Sequence, residues 1–171
     1  AKLLHIHKTV RAEGRTKPVK LMISRSDYMV HADSHTVAAD AGGTGGEGTQ
    51  LGLRQVEMNT IASSFGCLSQ QTSRLHKYLN SRAPPDARVD PDNLPDNSTR
   101  DGLCQGIAHA HSLYSKPEAV VVFLVQPGEF NAVDQQWLQT SLWDAHHIPT
   151  TRLSLQEYGA RAELLDDTTL L

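Results

Sequence analysis

Residues Ala119–Val125 are apolar without interruption. A short unbroken run of this kind, bounded by polar residues, fits a strand covered on both faces of a parallel sheet. Helical spacing lies on either side of it. Upstream, Asp101 can N-cap a helix through Leu113, with Leu103, Ile107, Ala110 and Leu113 in one stripe, and Ser115-Lys116-Pro117 ends it. Downstream, the polar loop Gln126–Asn131 leads into a helix with Trp137, Leu138, Leu142 and Ala145 facing inward. Thr150–Leu155 then supplies another strand. Strand, helix and strand make a βαβ unit, so this half is α/β with a partly parallel sheet and flanking helices.

The earlier half has a different pattern. Leu3, Leu4, His7, Val10 and Arg11 fall at helical spacing, and Gly14 is placed to stop that helix. Pro18–Ser24 and Leu51–Thr60 each alternate apolar with polar residues, which predicts two strands that pair as neighbours across a long loop. Within that loop, Gly43–Gly48 matches the GxGxxG spacing of dinucleotide sites. A strand rather than a helix follows it, so the segment reads as a flexible glycine-rich insert. From Cys67 onward, Leu68, Gln71, Leu75, Tyr78 and Leu79 predict an amphipathic helix. The proline- and aspartate-rich stretch 83–100 reads as a surface loop or linker. The expected division is 1–82 as one body and 101–171 as an incomplete α/β domain. The helix already in progress at the first residues makes the chain read as part of a longer protein.

Composition removes several classes of function. The 171 residues carry a net charge of −3, which gives no electrostatic footprint for nucleic acid or an anionic membrane. The longest apolar run is far too short to cross a bilayer, and the N-terminus carries no secretory pattern. Cys67 and Cys104 show neither metal-ligand spacing nor a disulfide framework, as expected of buried thiols in a reducing cytoplasm. The nine histidines are dispersed. The pairs His5/His7 and His109/His111 stand two apart on expected helices, where they face different ways.

Three clusters carry chemistry. Arg25-Ser26-Asp27-Tyr28-Met29 follows the first expected strand, where an arginine can fork onto a carboxylate or phosphate, or pair with Asp27 at the surface. In the second expected strand, Glu57 and Asn59 share a face, and a carboxylate with an amide oxygen suits a hard cation such as magnesium. Ser63 and Ser64 stand just before a helix, where hydroxyls and free N–H groups can hold an anion. Glu129, Asn131 and Gln135 follow the buried strand, at the end where open α/β sheets bind ligands. Asn131 could equally be a plain helix cap there.

In order and separation, three stretches resemble the glutathione synthetases of the eukaryotic type. They are Ser24–Met29, Glu57-x-Asn59-Thr60-Ile61-x-x-Ser64-Phe65-Gly66, and Glu129-x-Asn131-x-x-Asp134-Gln135. The resemblance implies an ATP-grasp architecture with an inserted α/β substrate domain, and a cytoplasmic homodimer. The activity implied is ATP-dependent ligation of γ-glutamylcysteine to glycine. Carried onto these residues, Arg25 would bind the dipeptide, and Glu57 and Asn59 would hold Mg2+ beside the ATP phosphates. Met29 would lie near the nucleotide, and Ile61, Ala62, Ser63 and Ser64 would position the dipeptide together with Glu129, Phe130, Asn131 and Gln135. Ala62 stands where the family commonly has serine, and Phe130 where arginine is frequent. No nucleophile is implied in the protein, and the chain alone is expected to be inactive. The competing reading is a stand-alone module that binds an amino acid or peptide without catalysis.

Overall fold

The computed structural model describes residues 2–16, 18–36, 47–60 and 63–165. The chain forms two compact units, residues 22–64 and residues 1–21 with 65–171.

The larger unit begins with α1 (Lys2–Ala12). Gly14, at φ +69°, closes the helix as expected: its N–H bonds the Arg11 carbonyl while the Arg15 N–H reaches back to Val10. That pair of bonds is the Schellman arrangement. Three longer helices follow, α2 (Gly66–Arg82), α3 (Thr99–Tyr114) and α4 (Ala132–His146). They pack on one another around Cys67, Cys104, Ile107 and Leu142. The packing is close at Gly66, where a Cβ would meet the end of the Leu103 side chain and force it to shift. The stretch 83–100, with its two 3₁₀ turns at Pro85–Ala87 and Pro91–Asn93, belongs to this unit.

The strands β3 (Val121–Val125) and β4 (Thr150–Ser154) pair in parallel, with α4 as their connection, so the βαβ unit is present. One expectation fails here. β3 is covered on one face only, with Val122 and Leu124 exposed, because β3 and β4 form a two-stranded sheet with helices on one side. Ala145 is likewise exposed on α4, and Leu142 is the residue it buries deepest. Helix α3 starts at Thr99 with Ser98 at the N-cap position, so Asp101 sits inside the first turn rather than capping it. A short helix α5 (Leu155–Arg161) follows β4 directly, opened by a capping box between Ser154 and Glu157.

The smaller unit is an antiparallel hairpin of β1 (Arg25–Thr36) and β2 (Glu47–Asn59). The second strand is as expected, but the first is not Pro18–Ser24: β1 begins at Arg25, inside the stretch expected as the connector. β2 ends opposite Arg25 (Arg25 pairs with Asn59), so residues 18–24 have no ladder to join despite their alternation. Arg25–Met29 therefore opens a strand instead of following one. The register shifts between Asp27 and Tyr28, leaving Val56 as the extra residue of a bulge. Residues 42–46 of the glycine-rich insert lie outside the described residues, and Glu47 and Gly48 already belong to β2.

Candidate functional site

The hairpin places four polar side chains together. Arg25 pairs with Asn59 and Asp27 with Glu57, and residues opposite one another in a ladder project from the same face. Arg25 donates from Nε and Nη2 to the two oxygens of Asp27, at 2.8 and 3.0 Å. The Asn59 amide donates to Glu57 Oε1 at 3.1 Å and to Asp27 Oδ2 at 3.4 Å. The Asp27 carboxyl is held below its ordinary range, first by the hydrogen bond from Arg25; the same bond raises the guanidinium. The guanidinium fork thus rests on a carboxylate, and any substrate carboxylate that Arg25 takes must compete with Asp27 for it. The bulge at Val56 immediately precedes Glu57 along β2 and bends the strand as it enters this group.

Glu57 and Asn59 share a face as the strand period requires, with Asp27 contributing a second carboxylate at the paired position. These are hard oxygen donors, and magnesium takes only one or two protein carboxylates and completes its shell with water and phosphate. The donor set fits a partial magnesium site of that kind. Among the described residues no group of three or more His, Cys, Asp or Glu converges as a complete cage. Met29 lies two residues beyond Asp27 on β1 and is exposed. After the strand, Ser63 Oγ donates to the Asn59 carbonyl at 2.7 Å and both Ser63 and Ser64 are half-buried. Ile61 and Ala62 lie outside the described residues.

In the larger unit, an open cleft of about 640 Å³ sits beyond the carboxyl ends of β3 and β4. Its lining includes Gln126, Glu129, Gln135, Arg152 and Glu157. Two of the residues expected from the sequence, Glu129 and Gln135, are therefore brought together. Asn131 occupies the N-cap position of α4 without a side-chain cap; the Glu129 carboxylate accepts its N–H at 2.9 Å instead. Phe130 is 99% exposed.

Sequence reasoning missed two residues here. Arg152 reaches the cleft from β4, and its only signal was a cation inside an otherwise apolar-and-hydroxyl strand. Asp134 is 4% exposed and accepts three backbone N–H bonds, from Phe65 (2.9 Å), Cys67 (2.9 Å) and Leu68 (3.0 Å). It caps the N-terminus of α2 from another helix, which no local pattern announces. The N-cap residue Phe65 is in the left-handed region, at φ 72°, and supplies no side-chain cap of its own.

Residues 1–162 match the sequence profile of the eukaryotic glutathione synthase ATP-binding domain. The chain belongs to that family. It is 36% identical to the chloroplastic glutathione synthetase of Solanum lycopersicum over 100% of this chain and 28% of the relative. It is 37% identical to the glutathione synthetase of Dictyostelium discoideum over 95% of this chain and 32% of the relative. The human enzyme is 31% identical over 99% of the chain and 32% of its own length. The chain thus spans about a third of the length of these relatives. A solved structure of a glutathione synthetase-like effector from Globodera pallida, in its apo form, shares the fold. Its TM-score is 0.71 at 23% identity, covering 96% of this chain and 36% of that one. No described helix is long and apolar enough to cross a membrane.

Proposed function

We propose that the protein carrying this chain is an ATP-dependent carboxylate–amine ligase that joins γ-glutamylcysteine to glycine. Family membership supports a ligase reaction in the full-length protein. The observation that carries the site assignment is the cluster of Arg25, Asp27, Glu57 and Asn59 on one face of the hairpin. In the reaction, the cysteinyl carboxylate attacks the γ-phosphorus of ATP, ADP leaves, and the acyl phosphate is captured by the glycine amine with release of phosphate. Such a transfer depends on positioning and on neutralising charge rather than on a protein nucleophile. Glu57 and Asn59 are the residues that would hold Mg2+, which supplies charge neutralisation at the phosphates. Arg25, with Asp27 orienting its fork, binds the dipeptide. Met29 lies toward the nucleotide, Ile61–Ser64 support the dipeptide, and Glu129, Phe130, Asn131 and Gln135 complete its recognition. A homodimer and a cytoplasmic setting belong to the same proposal, although the tomato relative is named chloroplastic.

The test is glutathione formation by the full-length protein with γ-glutamylcysteine, glycine, ATP and magnesium. Product that depends on each component supports the proposal. Dipeptide binding without any turnover would replace it with a peptide-binding module. The 171-residue chain by itself is expected to form none.

A further inference from the structure

Arg152 stands at the centre of β4, opposite Phe123 of β3, and is half-buried. From there its side chain enters the cleft, where Nη1 donates to the Gln135 amide oxygen at 3.4 Å, a long and weak contact. Among the described residues it forms no ion pair, whereas Arg25 and Arg100 are each held by an aspartate. A half-buried guanidinium that lines a cleft and has no carboxylate partner leaves its fork open to an anion of matching shape. Neither carboxylate of the cleft, Glu129 or Glu157, forms an ion pair with it. Glu157 Oε2 takes both the N–H and the hydroxyl of Ser154, at 2.8 and 2.8 Å, and Glu129 Oε1 takes the Asn131 N–H.

The ligand that suits this arrangement carries both charges on one carbon. We infer that Arg152 binds the α-carboxylate at the γ-glutamyl end of the dipeptide, with Glu129, which also lines the cleft, receiving the neighbouring ammonium and Gln135 orienting the guanidinium. The inference rests on the ligase reading for the identity of the peptide. Chemistry selects which of the two carboxylates goes there. The cysteinyl carboxylate must attack phosphorus, and a carboxylate gripped on both oxygens by a guanidinium is a poor nucleophile. The non-reacting one can be held tightly at no cost to the reaction. Arg152 is therefore a specificity-determining residue that reads the amino-acid headgroup, distinct from the groups at the reacting end.

The experiment compares γ-glutamylcysteine with 4-aminobutyrylcysteine, which lacks only the α-carboxylate, on full-length wild-type protein, Arg152→Met and Arg152→Lys. A forked ionic contact predicts a rise of roughly 10- to 100-fold in KM for γ-glutamylcysteine in Arg152→Met. KM for ATP and the melting temperature should stay unchanged. Wild type should prefer γ-glutamylcysteine over the analogue by a similar factor, and Arg152→Met should lose that preference. Arg152→Lys, which keeps the charge and loses the fork, should fall between and also covers the case in which the methionine variant does not fold. Undiminished discrimination in a folded Arg152 variant overturns the inference. If wild type makes no glutathione, the ligase reading fails, and calorimetric binding of the same two peptides to wild type and Arg152→Lys still decides the role of Arg152. A smaller preference in the variant supports it, and an equal preference overturns it.

Discussion

Replacing Asp134 with alanine should destabilise the protein far more than its position on a helix suggests. The carboxylate is buried and accepts N–H groups of Phe65, Cys67 and Leu68, which the first turn of α2 cannot satisfy internally. Cys67 is fully buried, so its N–H would be left without an acceptor, at about 1–3 kcal/mol, and Leu68 nearby would incur a similar cost. The Phe65 N–H lies on a half-exposed residue, where water can replace the carboxylate for about 1 kcal/mol or less. Against this sum stands the relief of no longer burying Asp134 itself, which leaves a net loss of roughly 3–4 kcal/mol. Asparagine keeps one acceptor oxygen but turns an NH2 toward a backbone donor, so about half that loss is expected. Both tryptophans of the chain, Trp137 and Trp143, are on α4, and their fluorescence reports the helix that carries Asp134. With an m-value of about 2 kcal/mol/M, the alanine variant should unfold in urea about 1.5–2 M earlier, with asparagine between it and wild type. An alanine variant within about 0.3 M of wild type at unchanged m would show that the three bonds contribute nothing net.

Burial pushes the Cys67 thiol up to about 12, so native protein should resist thiol reagents at neutral pH and react only after unfolding. Because the folded value exceeds the unfolded one, its contribution to stability is complete below about pH 9 and declines as pH rises toward 12; Cys67→Ala should flatten that alkaline limb. The Asp101 carboxyl is held below 3.8, first by the Arg100 hydrogen bond and then by Gln70, so its contribution is present above that pH and is lost as pH falls through the folded value. Asp101→Asn should reduce the acid sensitivity of unfolding, and an identical acid profile would remove Asp101 from the account. In the full-length protein, Arg25→Ala should impair use of the dipeptide strongly and of ATP little, whereas Glu57→Gln should raise the magnesium requirement. Unchanged dipeptide KM and kcat in the first, or unchanged magnesium dependence in the second, would remove those assignments.

The sequence revealed the βαβ unit because an unbroken apolar run and a second short strand-like segment flank a helical pattern, and parallel strands need such a crossover. It also revealed the second strand of the hairpin. It misplaced the first strand because alternation reports which faces a segment could offer, not whether a partner is available. The alternation at 18–24 is genuine, but β2 stops opposite Arg25. The face shared by Glu57 and Asn59 followed from the strand period alone. That Asp27 joins them required the register, a property of two strands at once. Phe130 stands within a recognisable motif and yet points to solvent, since helix α4 opens with the Glu129 carboxylate bonded across it to the Asn131 N–H.

The helix starts show why the remainder was not legible. Neither Phe65 nor Ser98 caps its helix with its own side chain. Asp134 of α4 takes the first-turn N–H groups of α2. Gln70 of α2 in turn accepts the Arg100 N–H at the start of α3 at 3.0 Å and donates to Asp101 at 3.2 Å. The starts of α2 and α3 are each closed by a buried polar side chain of another helix, Asp134 at 4% and Gln70 at 3% exposure. Local rules place the α3 cap at Asp101, but an acceptor from 30 residues away, the Gln70 amide oxygen, moves the start to Thr99. With a core of few apolar side chains, these cross-caps fix the mutual positions of the three helices more sharply than hydrophobic contact, which is non-directional. That precision has a functional consequence. The first turn of α4 carries both Asp134, which is locked onto α2, and Gln135, which faces the cleft, so the same turn that closes one helix sets the aim of the residue orienting Arg152.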